Sequence, residues 1–152
     1  GETVGVLVDG AAHPDCVVSS TGTITLTSPA SKVQVGYRYP SDGQMLRQDV
    51  GAADGTAQGK YQRTHVVNVR VHDTLGMKFG AGFHTTGPGK LTEPTIRTSA
   101  VPGDTAVPLY SGDIEVRWEG TYTKDNYVTW RNDSMFPGTI LAVMPQLHTQ
   151  DQ

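Results

Sequence analysis

The chain has 152 residues, of which 12 are basic and 15 acidic, for a formal net charge of −3. Its length predicts one domain with its own hydrophobic core, and the lack of a basic surplus argues against a nucleic-acid-binding protein, whose affinity depends on phosphate contacts. Its 19 Thr, 17 Val and 18 Gly, against 27 Ala, Leu, Glu and Lys together, exclude a helical bundle, a coiled coil and a long-helix α/β enzyme.

Residues 1–40 are predicted to form four short strands, at residues 4–8, 16–18, 23–27 and 32–39. The Asp9-Gly10 pair after the first strand is typical of a two-residue hairpin turn, and His13-Pro14-Asp15 is expected to continue as a loop. In the third strand Ile24 and Leu26 are expected to point inward. In the fourth, alternation gathers the apolar side chains on one face: Val33, Val35, Tyr37 and Tyr39.

The middle of the chain contains the strongest strand pattern. A turn at residues 40–43 and an ambiguous stretch at 44–50 lead to a small, flexible surface loop at 51–59. Residues 61–73 then alternate, and their odd positions form the core face over the second half of the segment: Val67, Val69 and Val71. Because strands typically have about 5–6 residues, a bend or a bulge is expected in this long one.

The C-terminal half begins with a long loop and ends in an apolar run. Residues 84–108 contain four prolines, and residues 92–98 within them are a possible edge strand. Further strands are predicted at residues 113–119, 127–132 and 139–144. The last of these is typical of a strand buried on both faces, and residues 146–152 are expected to fray. The expected inward side chains of the strand at 113–119 are Ile114, Val116 and Trp118.

Together these elements predict an all-β protein, an antiparallel β-sandwich or barrel of about ten short strands with little or no helix. Residues 1–152 are expected to form one β domain, with a possible N-terminal four-strand lobe at residues 1–40 and a main lobe at 41–152. Because a strand pattern begins almost at Gly1, the chain is expected to be a fragment of a longer protein. It has no run of about 18 apolar residues, so no membrane span is predicted.

The cysteine and the histidines give little sign of chemistry. Cys16 is the only cysteine, so no intrachain disulfide is available, and its flanks favour a buried, inert thiol over a nucleophile. The histidines lack the spacing of metal ligands, since His65 and His72 point to opposite faces of one strand. We therefore predict no catalytic residue, no metal site and no cofactor.

Charged residues on two predicted strands are expected to be ordinary solvent-exposed residues rather than functional sites. Three carboxylates on one strand face have the spacing of a glycosidase pair: Asp113, Glu115 and Glu119. Arg117 lies between the last two, which favours a charge-balanced outer face instead. A weak basic stripe near Tyr61 is expected to be a solvated strand face rather than a nucleic-acid site: Lys60, Arg63 and Arg70.

Several segments, taken in order, carry a resemblance to a known group of proteins: residues 2–10 followed by His13-Pro14, residues 52–60 leading into 67–71, and residues 74–80, 109–116 and 136–145. This ordered set resembles the C-terminal part of the tail tubular protein B, or tail nozzle, group of bacteriophage tail proteins. The similarity extends over almost the whole chain. The sequence departs from the group's pattern at Phe136-Pro137-Gly138, where a Leu-Pro-Met or Leu-Pro-Leu turn is expected.

The resemblance implies a non-enzymatic virion structural domain, a nozzle, tubular or tail-tip component that acts in tail assembly and in the DNA-ejection conduit. It would be made in the cytoplasm of the host bacterium. The implied partners are other tail proteins and further copies of the same protein in a ring, with DNA only passing through. The long loops at 41–60 and 84–108 are expected to make the contacts, with these candidate interface residues: Asp42, Gln44, Asp54, Lys60, His84, Lys90, Arg97 and Asp104.

Two other functions are left open. The first is a carbohydrate- or receptor-binding β-sandwich of a phage adhesion device, which would use exposed aromatic side chains: Tyr110, Trp118, Tyr122, Tyr127 or Trp130. Against this, the two tryptophans occupy inward strand positions, which favours a role in the core. The second is a hydrolase that uses Asp113 and Glu115, and its required test is loss of an activity when these residues are substituted.

Overall fold

A computed structural model describes residues 1–49, 55–87, 89–96 and 106–150, and these residues form an all-β structure. Its nine strands make three antiparallel three-stranded sheets, in the orders β2-β1-β3, β4-β8-β6 and β7-β5-β9. No helix occurs among the described residues, and hence none that could cross a membrane. The predicted all-β antiparallel class is confirmed. The strands are β1 Thr3–Val8, β2 Ala11–Val17, β3 Val33–Gly36, β4 Ser41–Gln44, β5 Tyr61–Thr74, β6 Met77–Gly80, β7 Tyr110–Arg117, β8 Thr129–Asn132 and β9 Thr139–Gln150.

The first sheet begins with the predicted hairpin. Asp9 and Gly10 both have positive φ, of 50° and 81°, as a type I′ turn requires, and Val8 pairs directly with Ala11. The prediction of a loop at residues 13–15 is wrong, because these residues lie within β2. The pairing of β1 with β2 shifts at this point, and Pro14 is tolerated in the strand because a bulge needs no ladder donor there.

The predicted third strand, residues 23–27, is wrong as a strand, so the N-terminal sheet has three strands rather than four. The segment lies over the sheet instead, where Ile24 and Leu26 pack against the buried side chains of Val4, Val6 and Cys16. The inward direction of these two apolar side chains is therefore confirmed. Alternation alone does not distinguish a strand from a covering segment, because both have one apolar face.

The central strand β5 carries the main core. Its expected bulges are present, with register shifts against β9 between Thr64 and Val66 and between Arg70 and Val71. The predicted core face is confirmed over the second half of β5, and the inward side chains of β7 are confirmed as well. These residues form one buried cluster with side chains of β6 and with Val128: Val67, Val69, Val71, Met77, Phe79, Ile114, Val116, Trp118 and Val128.

Two short segments differ from their predictions. The turn predicted at residues 40–43 is wrong, because residues 41–44 form strand β4. Gly43 allows close packing within this strand, since a Cβ there would overlap the indole ring of Trp130 on the paired strand. The possible edge strand at 92–98 is wrong for residues 92–96, where a single bridge joins Thr92 to Phe79. Residues 97 and 98 lie outside the described part of the chain.

Strand β9 is exposed rather than buried on both faces. It pairs only with β5 among the described strands, and Leu141 and Met144 are 60% and 40% exposed. Arg70 of β5 pairs with Ala142, and the next residue, Val71, pairs with Ile140. Leu141 is therefore skipped and has no partner on β5. The predicted fraying is wrong for residues 146–150, which continue β9, whereas residues 151 and 152 lie outside the described residues.

Candidate interaction surfaces

An apolar strip on β3 and the residues after it is open to solvent. We call it the β3 strip, and its side chains are largely exposed: Val33 (40%), Val35 (50%), Tyr37 (64%) and Tyr39 (68%). An alternating apolar face of a strand is normally buried, and a contiguous exposed one marks an interaction site. The strip is therefore the candidate interaction surface of the N-terminal sheet.

The position of β3 explains this exposure. Val33 and Val35 pair with Val8 and Val6 of β1 and so lie on the sheet face that residues 24–26 cover. These covering residues bury Val6 of β1 but leave Val33 and Val35 of the outer strand β3 exposed. Because β3 pairs only with β1 among the described strands, its outer backbone edge is also free for a ladder with another chain.

The opposite face of the same sheet is occupied by the protein itself. A Cβ on Gly5 would overlap the side chain of Met135, and one on Gly36 would lie 3.5 Å from it. Met135 belongs to the segment between β8 and β9. The glycines thus let this segment pack closely on the sheet, and only the face with the β3 strip is left partly uncovered.

The predicted interface residues lie in several different settings. Asp42 and Gln44 lie in strand β4, so the expectation of a loop is wrong for them, and Arg131 donates two hydrogen bonds to the Asp42 carboxylate at 2.6 and 2.7 Å. Lys60 precedes β5, and His84 is exposed, with its carbonyl accepting a bond from the Leu91 N–H. Lys90 lines a separate pocket described below. Three lie outside the described residues: Asp54, Arg97 and Asp104.

Cys16 and His13 are adjacent but do not form a nucleophile and its base. The Thr27 backbone N–H donates to His13 Nε2 at 3.1 Å, so this nitrogen is unprotonated and Nδ1–H donates to the Pro14 carbonyl at 2.7 Å. Both ring nitrogens are thus occupied, and the buried thiol donates to the Thr25 carbonyl at 3.5 Å. The pair holds the segment that covers the N-terminal sheet, in line with the expected buried thiol.

A Ser-His-Asp cluster lies at the β5–β7 bulge and was not found from the sequence. Ser111 Oγ lies 3.2 Å from His72 Nδ1, but its proton goes to Asp73 Oδ1 at 2.9 Å, and it also accepts the Asp73 backbone N–H. The hydroxyl proton therefore points to the carboxylate rather than to a basic imidazole, unlike in a hydrolase. These bonds support Asp73 in its positive-φ conformation of 43°.

Two of the three carboxylates considered for a glycosidase pair, Asp113 and Glu115, are in ion pairs with arginines. Arg70 donates to both oxygens of Asp113 at 2.7 and 2.8 Å, and Arg117 donates to Glu115 at 2.5 Å. This is the charge-balanced outer face that Arg117 indicates. The hydrogen bond from Arg70 lowers the pKa of Asp113, so this carboxyl is not poised as a general acid near neutral pH.

The two bidentate ion pairs, Arg131–Asp42 and Arg70–Asp113, predict how the stability of the fold changes at low pH. Hydrogen bonds from Arg131 and Arg70 lower the pKa values of Asp42 and Asp113 below the ordinary carboxyl range. Both pairs therefore stabilise the fold above the unfolded-state carboxyl pKa, and this contribution is lost as pH falls through the lowered values. NMR titration of the carboxyl carbons in Arg70→Gln should return the Asp113 pKa to its usual range and leave that of Asp42 lowered.

Arg131→Gln is the matched control, and it should reverse the pattern by releasing Asp42 alone. Asp113 titrating in the usual range in the unsubstituted protein would contradict the expectation.

The aromatic residues considered for a glycan platform are mostly covered. Trp118 is buried and Trp130 packs partly buried against the main cluster, which confirms their inward positions. Tyr110 and Tyr127 are half-buried, and Tyr122 is exposed. The described residues also contain no group of three or more His, Cys, Asp or Glu side chains suited to a metal ion.

Comparison with known proteins gives no assignment. The chain matches no model of a known protein family, and no curated protein matches it.

Proposed function

We propose that this protein is a non-enzymatic structural and interaction domain of a bacteriophage tail, a nozzle, tubular or tail-tip component that assembles with copies of itself into a ring. The observation that carries this proposal is the β3 strip, an exposed apolar face on an edge strand. The ordered resemblance to tail nozzle proteins supplies the setting. The assembled ring would act in tail assembly and around the DNA-ejection conduit of the virion.

A second apolar edge supports a ring rather than a closed dimer. Leu141 and Met144, which we call the β9 strip, are exposed on the edge strand of a different sheet. Two different exposed apolar edges on one chain favour a heterologous contact, in which the β3 strip of one copy packs against the β9 strip of the next copy. Repetition of such a contact closes a ring when the rotation between copies allows it.

The finer architecture that fits this role is a β-sandwich. The main cluster joins side chains of β5 and β7 in one sheet with Met77 and Phe79 of β6 in another. Two sheets that share one core are the layers of a sandwich. The net charge of −3 suits a wall along which DNA slides, since a strongly basic surface would retain the phosphates.

Assembly of strip variants tests the proposal. Val35→Asp and Leu141→Asp each place a charge in one strip, and each should convert rings to monomers in sedimentation velocity experiments. Mixing the two variants should restore a one-to-one dimer, because each keeps the strip that the other lacks. Val17→Asp is the control, since Val17 is 63% exposed but lies in neither strip, and it should still form rings.

Two results would overturn parts of this proposal. A Val35→Asp variant that assembles like the unsubstituted protein would eliminate the β3 strip as the contact. Mass spectrometry of purified phage particles should find the protein at a fixed copy number per virion. Its absence from the particles would overturn the assignment to a phage tail, whatever its oligomeric state.

A further inference from the structure

A pocket of about 640 Å³ lies where the first half of β5 and the end of β7 meet Gly87, Lys90 and Thr92. Its volume is within the range of small-molecule sites. We call it the bulge pocket, and the following residues line it: Arg63, His65, Gly87, Lys90, Thr92, Arg117, Trp118 and Glu119. It shares no residue with the β3 strip or the β9 strip.

A β-bulge shapes one wall of this pocket. The register between β5 and β9 passes from Thr64 to Val66 and leaves His65 as the extra residue. A bulge redirects the side chain at which it occurs, and bulges are frequent next to functional sites. The His65 ring lies 4.7 Å from the ring of His148, and the His65 carbonyl accepts the Trp118 backbone N–H at 3.2 Å.

Three buried polar atoms of the lining residues have no hydrogen-bond partner among the described residues. They are Arg63 Nε, His65 Nδ1 and Trp118 Nε1, and Trp118 as a whole is only 7% exposed. Leaving a buried donor unpaired costs about 1–3 kcal/mol. Outside this pocket, Gln62 Oε1 is the only other such side-chain atom in the described part of the chain. Arg63 Nε and Trp118 Nε1 are donors, whereas His65 Nδ1 donates or accepts according to its tautomer, so the wall of this pocket concentrates unpaired polar atoms.

The charges around the pocket favour an anion. No described carboxylate lies within 4.0 Å of Arg63 or Lys90, whereas Arg117 is paired with Glu115. Glu119 is the one acidic lining residue, so it opposes one of the unpaired cations and leaves a positive balance. We propose that the bulge pocket binds a tetrahedral oxyanion, the phosphate or sulfate ester group of a small ligand, through the cationic side chains of Arg63 and Lys90, next to the indole ring of Trp118.

The origin of the two cations suits a tetrahedral group better than a carboxylate. Arg63 belongs to β5 and Lys90 to the residues before Thr92, so the two cations are held by separate segments of the chain. A tetrahedral oxyanion has acceptor oxygens in several directions, whereas a carboxylate has two in one plane. The pocket volume exceeds the needs of a bare ion, which leaves room for the rest of a small ester.

Binding should be coupled to a proton on His65. Burial first, and then the proximity of the His148 ring and of the Arg63 and Arg117 guanidinium groups, lowers the pKa of this imidazole in the free protein. A bound oxyanion acts in the opposite direction to these charges and raises the pKa. The other charged lining groups are Lys90, which has the same sign as the arginines, and Glu119, which opposes them. Affinity should therefore increase as pH falls through the titration of His65.

Sulfate is the probe of choice, because it stays dianionic from about pH 5 to 8 and only the protein titrates. The protein has two tryptophans, Trp118 and Trp130, and therefore two indole N–H signals in an NMR spectrum. At constant ionic strength, sulfate should shift the Trp118 signal and leave that of Trp130 unchanged. Trp118→Phe, which keeps an aromatic ring in the core, assigns the signal.

Matched lysine variants distinguish an effect of the pocket on sulfate affinity from an effect of the protein's net charge. Lys90→Gln should weaken sulfate binding by about tenfold, which corresponds to about 1.4 kcal/mol. Lys32→Gln removes the same charge from a residue outside the pocket and should leave the affinity unchanged. His65→Gln should remove the increase in affinity at low pH, and its folded state is verified from the dispersion of the same spectra.

Three ligands identify the source of the oxyanion. Adenosine monophosphate should bind more tightly than inorganic phosphate, and adenosine should not shift the Trp118 signal. Equal affinity for inorganic phosphate and the nucleotide would overturn the ester part of the proposal. An unmoved Trp118 signal at saturating sulfate, or equal weakening by Lys90→Gln and Lys32→Gln, would overturn the site.

Discussion

The substitution Phe79→Ala is expected to lower the free energy of unfolding by about 3–5 kcal/mol. Phe79 is fully buried and belongs to the cluster that joins β6 to β5 and β7. Its truncation leaves a cavity that the surrounding sheets cannot close, because the backbone of Phe79 is tied to Thr92 by hydrogen bonds of 2.9 and 2.7 Å. Since domains are stable by about 5–15 kcal/mol, this loss is a large fraction of the total.

Thermal and urea unfolding measure this loss, and the expected fall in Tm is roughly 6–20 °C. Phe83→Ala is the matched control, because Phe83 is 37% exposed and the Arg131 guanidinium lies over its ring face, 5.3 Å from the centroid. That contact contributes about 0.5–1 kcal/mol. A Phe79→Ala variant no less stable than Phe83→Ala would show that the main cluster is not the core on which the sheets depend.

The parts of the fold that local chemistry determines could be predicted from the sequence. Asp-Gly is among the few pairs that suit two positive φ values, so the first hairpin could be located. The alternation of valines in residues 67–71 could be assigned to the core because period-two patterns have one explanation in a sheet. The bulges in β5 followed from its length alone.

Tertiary packing decided the elements that could not be predicted. Gly43 is the residue expected of a turn, but it is present because Trp130 lies against its backbone. Residues 139–144 have the composition of a buried strand, yet β9 is an edge strand with an exposed face. No local signal distinguishes an apolar residue covered by its own chain from one left for a partner, and the β3 strip has the same ambiguity.

The bulge pocket shows why the site itself was missed. Arg63 was part of a basic stripe and Lys90 was a candidate interface residue, but they are distant in sequence and nothing local joins them. Alternation places His65 on a regular strand face, and the bulge that redirects its side chain depends on the register of β5 with β9. The over-long strand was the one available sign, because an expected bulge also marks a place where a side chain is redirected.

Gly80→Ala is expected to destabilise the protein by about 1–3 kcal/mol, the usual cost of overpacking. A Cβ at this position would lie 2.7 Å from the Gly89 carbonyl oxygen and 2.8 Å from that of Lys90. Both are backbone atoms, so the clash cannot be relieved by rotating a side chain. The segment around Gly89 must move, although the Ala81 N–H and the Glu119 carbonyl hold it through hydrogen bonds of 3.0 and 2.6 Å.

Gly36→Ala is the matched control, because its Cβ would make an ordinary contact of 3.5 Å with a methionine side chain. It should be neutral or should stabilise by about 0.4–1 kcal/mol through the unfolded state. Equal unfolding free energies for the two variants would contradict the expectation. Since the displaced segment carries Lys90, Gly80→Ala should also weaken sulfate binding in folded protein. Stability and affinity then fall together at Gly80, whereas Lys90→Gln should lower the affinity alone.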